Sequence, residues 1–159
     1  MMAIEFLEWL AATPLSSGLR RSALVYMAVN AAHILSIGLL IGAILPLDLR
    51  LMGLFGSVPL AVIGPFLSRA AAIGLVGAVI TGLALFSVKP VEYASNTAFL
   101  WKLGLISFGF CNAAFVHLGR GWRAGLSKGS ATTGVRLSAA LSAAIWVSAL
   151  ISGRWIGFL

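Results

Sequence analysis

Four stretches of the chain are apolar almost without interruption, and each is cut off by a cluster of polar, Gly or Pro residues. They run at about 22–45, 68–86, 98–118 and 135–153. A helix needs about 20 apolar residues to cross a hydrocarbon core roughly 30 Å thick, and each stretch approaches or exceeds that length. An open sheet would leave unpaired edges in lipid, so helices are the physical choice. Ahead of them, "MAIEFLEWLAATPLSS" sets Glu5 and Glu8 on one side of a short helix and Ile4, Leu7 and Leu10 on the other, until Pro14. That is the pattern of a helix lying in the membrane interface. The predicted fold is therefore all-α: a four-helix integral membrane bundle with an interfacial helix at 1–16, forming one domain over 1–159.

Composition sharpens this picture. The chain is 60% hydrophobic and 9% charged, with Lys+Arg 11 against Asp+Glu 4 in 159 residues. A soluble domain carries about 25% charged residues and has too little volume at this size to hide so much apolar surface. The net charge of +7 does not point to nucleic acid, because the basic residues are scattered at the ends of the apolar runs. Cations placed there anchor and orient helices. The single Cys111 excludes an internal disulfide and a two-cysteine metal motif. "LRRSALVYM" has the look of a twin-arginine signal, but no small-residue cleavage site follows, so it reads as a retained first span.

With four spans the N-terminus, the 87–97 connection and the C-terminus share one side of the membrane, here side A. Side A holds Arg20, Arg21, Lys89, Lys102 and Arg154; side B holds Arg50, Arg69, Arg120, Arg123, Lys128 and Arg136. Five against six sets no firm orientation and leans only slightly to a cytoplasmic side B. Small residues recur four apart at Gly38/Gly42, Gly74/Ala78/Gly82, Ala140/Ala144 and Ser148/Ser152. That spacing lets helix backbones approach closely in lipid.

The candidate chemistry lies in the few polar groups inside the spans. His33 falls about 15 Å from the side A end of its helix, near the expected midplane. Tyr26, Asn30, His33, Ile37 and Leu40 share a face about 60° wide, while Gly38 lies roughly 140° from His33. One face of this helix is thus expected to pack and another to carry polar groups. An ionisable residue placed in lipid is costly and reads as functional, though a neutral imidazole bridging two helices remains open beside a ligand role. The other histidine, His117, is expected roughly 12 Å nearer side B, which works against a shared haem without forbidding it. Cys111 and Asn112 on the third span and Trp146 on the fourth match His33 in depth and are expected to converge on it. His33 with the Cys111 thiolate, and Met27 nearby, would suit Cu(I). Lys102, one turn inside its span, is expected to snorkel to side A. Asp48 marks the exit of the first span, where it could pair with Arg120 or Arg123. No phosphate loop, carboxylate pair or metalloprotease helix occurs, so an enzyme is the weaker expectation; if there is one, it is a membrane oxidoreductase.

The set "HILSIGLLIGAILPLDLRLMG", "ITGLALF", "FLWKLGLISFGFCNAAFVH" and "WVSALISGRWIGF" resembles a family of small bacterial four-helix membrane proteins of unassigned activity. More distantly, a first-span histidine followed by glycine and a basic residue, then a helix opening on aromatic–lysine, is similar to the CopD copper-resistance membrane domain. It is also similar to the HemJ-type protoporphyrinogen oxidases, which are taken to bind haem b. The likeness implies His33 as a haem ligand and Lys102 as a second functional residue. The chain departs from both groups at Leu39, Leu40 and Ile41, where a tryptophan is expected, and in its "DLR". The resulting expectation is a bacterial cytoplasmic-membrane protein holding one haem b for electron transfer. Its cofactor residues are His33, His117, Asn30, Asn112, Lys102 and Trp146. The alternatives are copper at His33 and Cys111, or a structural subunit of a larger complex. Expected partners are the lipid bilayer, a redox partner or quinone, and further copies or other chains, but no nucleic acid.

Overall fold

The computed structural model describes residues 2–156. In chain order the helices are α1 (Met2–Ala12), α2 (Pro14–Arg21), α3 (Ala23–Met52), α4 (Leu60–Phe86), α5 (Pro90–Ser95), α6 (Thr97–Leu118), α7 (Arg120–Lys128) and α8 (Thr133–Trp155), with no strand among the described residues. Four of them, α3, α4, α6 and α8, are long and apolar enough to cross a bilayer. The chain is an integral membrane four-helix bundle. Large apolar side chains such as Leu35, Ile73, Phe115 and Leu137 point outward. Such exposure costs nothing where the surrounding solvent is hydrocarbon.

Two spans are longer than the sequence pattern suggests. α3 was expected to end before Pro46, yet it continues to Met52 and closes on Gly53 at φ 109°. Proline lacks the N–H that would bond the Gly42 carbonyl, and its ring crowds the same turn. The helix persists because the turns beyond it are held by burial: Leu47, Asp48, Arg50 and Leu51 are all in the interior. Likewise α4 starts eight residues before the expected 68 and runs through Pro65. Its added turns bury Leu60 and set Gly64 against Trp122 and Leu126. Those two side chains belong to α7, a helix inside what the sequence pattern treats as a loop. Trp122 and Gly125 turn inward on α7, while Arg120, Arg123 and Lys128 face out.

α3 and α8 form the middle of the bundle. α4 packs on the outer side of α3 and α6 on the outer side of α8, while α4 and α6 hardly touch. The α3–α4 seam is very close. A Cβ on Gly74 would fall 2.5 Å from the Leu40 backbone nitrogen, and one on Gly77 2.6 Å from Ser36 Oγ. This corrects the expected division of α3 into faces. The side bearing His33, Ser36 and Leu40 is the packed one, whereas Gly38 and Gly42 meet nothing within 4 Å outside their own helix. The α6–α8 seam closes in the same manner, with the Trp146 indole lying on Gly109.

On side A, α1 and α2 are tied to the end of α4. Thr13 caps α2, and Ser16 donates from Oγ to the Ser87 carbonyl at 2.7 Å. Arg20 donates to Ser16 Oγ and to the carbonyls of Val88 and Ala11. On side B, Arg50 folds the 53–59 loop and the end of α7 together, donating to the carbonyls of Val58, Gly56 and Gly129.

Candidate functional site

The polar groups expected to converge on His33 divide between two places. Toward side A, His33 on α3 faces α4, where its Nδ1 lies 2.9 Å from the Thr81 hydroxyl oxygen. Thr81 spends its only proton on the Gly77 carbonyl at 2.6 Å. Its oxygen is then placed to accept from His33 Nδ1, and the ring has a further hydrogen bond with the Ala78 backbone of α4. The imidazole edge lies on Gly82, where a Cβ would come within 3.1 Å of Cε1. Lys102 approaches from α6 near enough for its charge to act on His33, with its ammonium beside Gly153 of α8. No acidic side chain joins them: the single ion pair among the described residues is Lys89–Glu92 on the surface. Asn30, one turn before His33, is exposed.

Toward side B lies a cavity of about 350 Å³ with α3 and α8 as its floor and α4 and α6 as its walls. Asn112, His117 and Trp146 line it; His33 does not. Asn112 donates from Nδ2 to the Ser138 carbonyl at 3.0 Å. His117 has both ring nitrogens engaged, by the Ser68 hydroxyl at 3.0 Å and the Ala113 carbonyl at 2.9 Å, and its ring tilts against Trp122. The partners of the two histidines, Thr81 and Ser68, are thirteen residues apart on α4, about 20 Å along its axis. The imidazoles therefore cannot share one iron, which removes His117 as the second ligand of a haem at His33.

Cys111 corrects the copper expectation. It is exposed on the outer wall, lining a second cavity of about 450 Å³ with Val76, Val79, Ile80 and Ile106. Neither this cavity nor the first includes His33. Met27 is 59% exposed, and no cluster of three or more His, Cys, Asp or Glu exists among the described residues.

The residue missed from the sequence is Asp48. It makes no ion pair with Arg120 or Arg123, which stand out on α7, because α3 turns the carboxyl inward between Ile44, Leu47 and Leu51. Asp48 is 4% exposed and lines the first cavity, with the Ser142 hydroxyl of α8 alongside. Its Oδ2 has no hydrogen-bond partner, and neither does the indole Nε1 of Trp146, which is 2% exposed in the same cavity. Continuing the helical pattern past Pro46 would have put Asp48 on the apolar face of Ile44, Leu47 and Leu51.

No protein-family model, no curated protein and no solved structure matches this chain.

Proposed function

We propose that this is a haem-b-binding protein of the bacterial cytoplasmic membrane, with His33 Nε2 as its single protein ligand. One observation carries the reading. The chain from His33 through Thr81 to Gly77, with the Ala78 carbonyl as a further partner of the ring, fixes the imidazole against α4. Ligating histidines are oriented in this way, by a hydrogen bond from the other ring nitrogen. The donor set suits a haem with one histidine and an open position, and does not suit a bis-histidine haem. Lys102, a cation with no carboxylate partner among the described residues, fits a propionate. Bound there, haem would supply one-electron chemistry within the membrane. The residues of this chain hold the imidazole in one orientation, offer a cation for the acid groups and keep bulk water away. The slight excess of basic residues on side B favours that side as cytoplasmic.

The test is an absorbance spectrum of detergent-solubilised protein from haem-replete cells, beside a His33→Ala variant. A Soret band in the first and its loss in the second is the expected result. A colourless wild type that gains no band on haemin titration would sink the reading, and equal bands in both proteins would remove His33 as the ligand.

A second reading, a structural subunit, is favoured by the open Gly38–Gly42 face of α3. Small residues four apart are the surface on which another membrane helix can seat closely.

A further inference from the structure

α4 and α6 stand on the same side of the bundle and yet hardly touch. Between them lie the two cavities of about 350 and 450 Å³, and Leu75 and Phe110 line both, so the two join into one cleft. We propose that this cleft binds an anionic phospholipid of the side B leaflet, with one acyl chain along the cleft and the phosphate on Arg69.

The walls select an acyl chain. On α4, Ala72, Leu75 and Val79 recur at intervals of three and four residues, so they form one stripe down the helix. On α6, Ile106 and Phe110 do the same one turn apart. Val79 is 45% and Phe110 59% exposed, so no other part of the chain covers these walls. From Arg69 to Ile80 the cleft follows α4 for eleven residues, about 16 Å along its axis. One leaflet of a roughly 30 Å hydrocarbon core is about 15 Å deep, so the cleft runs the depth of one acyl chain.

The charges select an acidic headgroup. Ser68 bonds to His117 in the last turn of α6, so Arg69 stands level with the side B end of that helix. It lines the cleft, is exposed and forms no ion pair. Arg120 and Arg123 follow on α7, also exposed, while the only acid on that side, Asp48, is 4% exposed. A phosphate with no cation of its own is matched here, because arginine offers it two parallel donors. A choline headgroup would instead bring an ammonium up to a surface that is already positive. Basic side chains at the membrane ends of helices recognise anionic headgroups in this way. His33 lines neither cavity, so the proposal does not rest on the haem reading.

Native mass spectrometry of the full chain, freed of lipid in detergent and titrated with single lipids, tests the proposal. The probes are phosphatidylglycerol and phosphatidylcholine carrying the same two oleoyl chains, with glycerol 3-phosphate as an anionic headgroup that has no tail. Phosphatidylglycerol is expected to bind about fivefold more tightly than phosphatidylcholine or better, the gain expected from one cation at an anionic surface. Excess glycerol 3-phosphate should displace neither lipid. Arg69→Gln should bring the two lipids to about equal affinity, whereas Arg123→Gln, which removes the same charge outside the cleft, should keep the preference. Val79→Trp narrows the cleft from α4 and should weaken both lipids by about threefold or more. Melting in the same detergent is followed for each variant, and Val79→Phe serves where tryptophan prevents folding. The proposal is overturned by a smaller preference in the wild type, or by its survival in Arg69→Gln. It is equally overturned by the same loss in Arg123→Gln, which would mean a diffuse basic surface, by displacement with glycerol 3-phosphate, or by unchanged lipid affinity in the narrowed cleft. None of these readouts uses a haem spectrum, so this site and the one at His33 stand or fall separately.

Discussion

His33 and Thr81 form a one-directional hydrogen bond. The hydroxyl proton of Thr81 goes to its own helix at Gly77, so His33 Nδ1 is placed as the donor across the α3–α4 seam. The pair fixes the ring orientation. If Nε2 ligates a haem, Thr81→Val leaves the packing in place and removes only the acceptor. Outer-shell substitutions of this kind cost about 10–100-fold in affinity. Haemin titration followed at the Soret band should show a loss in that range for Thr81→Val and complete loss for His33→Ala. Unchanged affinity in Thr81→Val would mean that the hydroxyl does not orient a ligand.

The two glycine stripes make opposite predictions. At Gly74 a methyl group would sit against the backbone of Leu40 and Ser36, atoms that cannot move aside without parting the helices. Overpacking costs about 1–3 kcal/mol and more where backbone must shift. Gly74→Ala is expected at or above the top of that range, as a lowered melting temperature in detergent. Gly38→Ala meets only open space and should be neutral or stabilising by up to about 1 kcal/mol, through better helix propensity. Equal effects at the two positions would contradict the packed and open faces of α3.

The bundle was legible because the lipid requirement is so restrictive: long apolar runs with few charges leave little choice but spanning helices, and all four were found. Their ends were less legible. Proline at 46 and 65 is a strong local signal against helix, and what overrides it is contact between distant segments, such as Trp122 and Leu126 on Gly64. No local pattern reports that. The same error hid Asp48, since a helix thought to stop at Leu45 makes the next acid a surface residue. His33 was singled out by chemistry alone, but its partner was not foreseen, because a lone threonine carries no signal until α4 is set beside α3. Asn112 and Trp146 line one cavity with Asp48, and neither His33 nor Cys111 joins them there.

Arg50 gives a prediction about side B. It is 8% exposed and its guanidinium is shared among the carbonyls of Gly56, Val58 and Gly129, with no carboxylate. Hydrogen bonds from a charged donor contribute about 1.5–3 kcal/mol each at most, and several act together here. Arg50→Met keeps the apolar stem of the side chain and removes the guanidinium donors. A loss of about 3 kcal/mol is expected, with new protease cleavage confined to the 53–59 loop. Cleavage elsewhere first, or none, would show that the loop is held by other contacts.

Arg20 plays the matching part on side A, but its failure should be local. Its guanidinium joins α1, α2 and the segment after the end of α4 through Ala11, Ser16 and Val88, while Ser16, which is fully buried, holds the Ser87 carbonyl. α1 otherwise leans on the bundle lightly: Phe6 and Trp9 stack on each other and are exposed, as suits a helix resting in the membrane interface. Arg20→Leu removes the guanidinium's links between the layers, keeps only that of Ser16 to Ser87, and leaves the four spans untouched. Hydrogen exchange should therefore accelerate by at least tenfold in α1 and α2, with the interiors of α3 and α8 unchanged. Because a local opening reports its own free energy rather than the global one, this pattern separates a staple from a core residue. Faster exchange throughout the bundle would instead make Arg20 part of what holds the spans together.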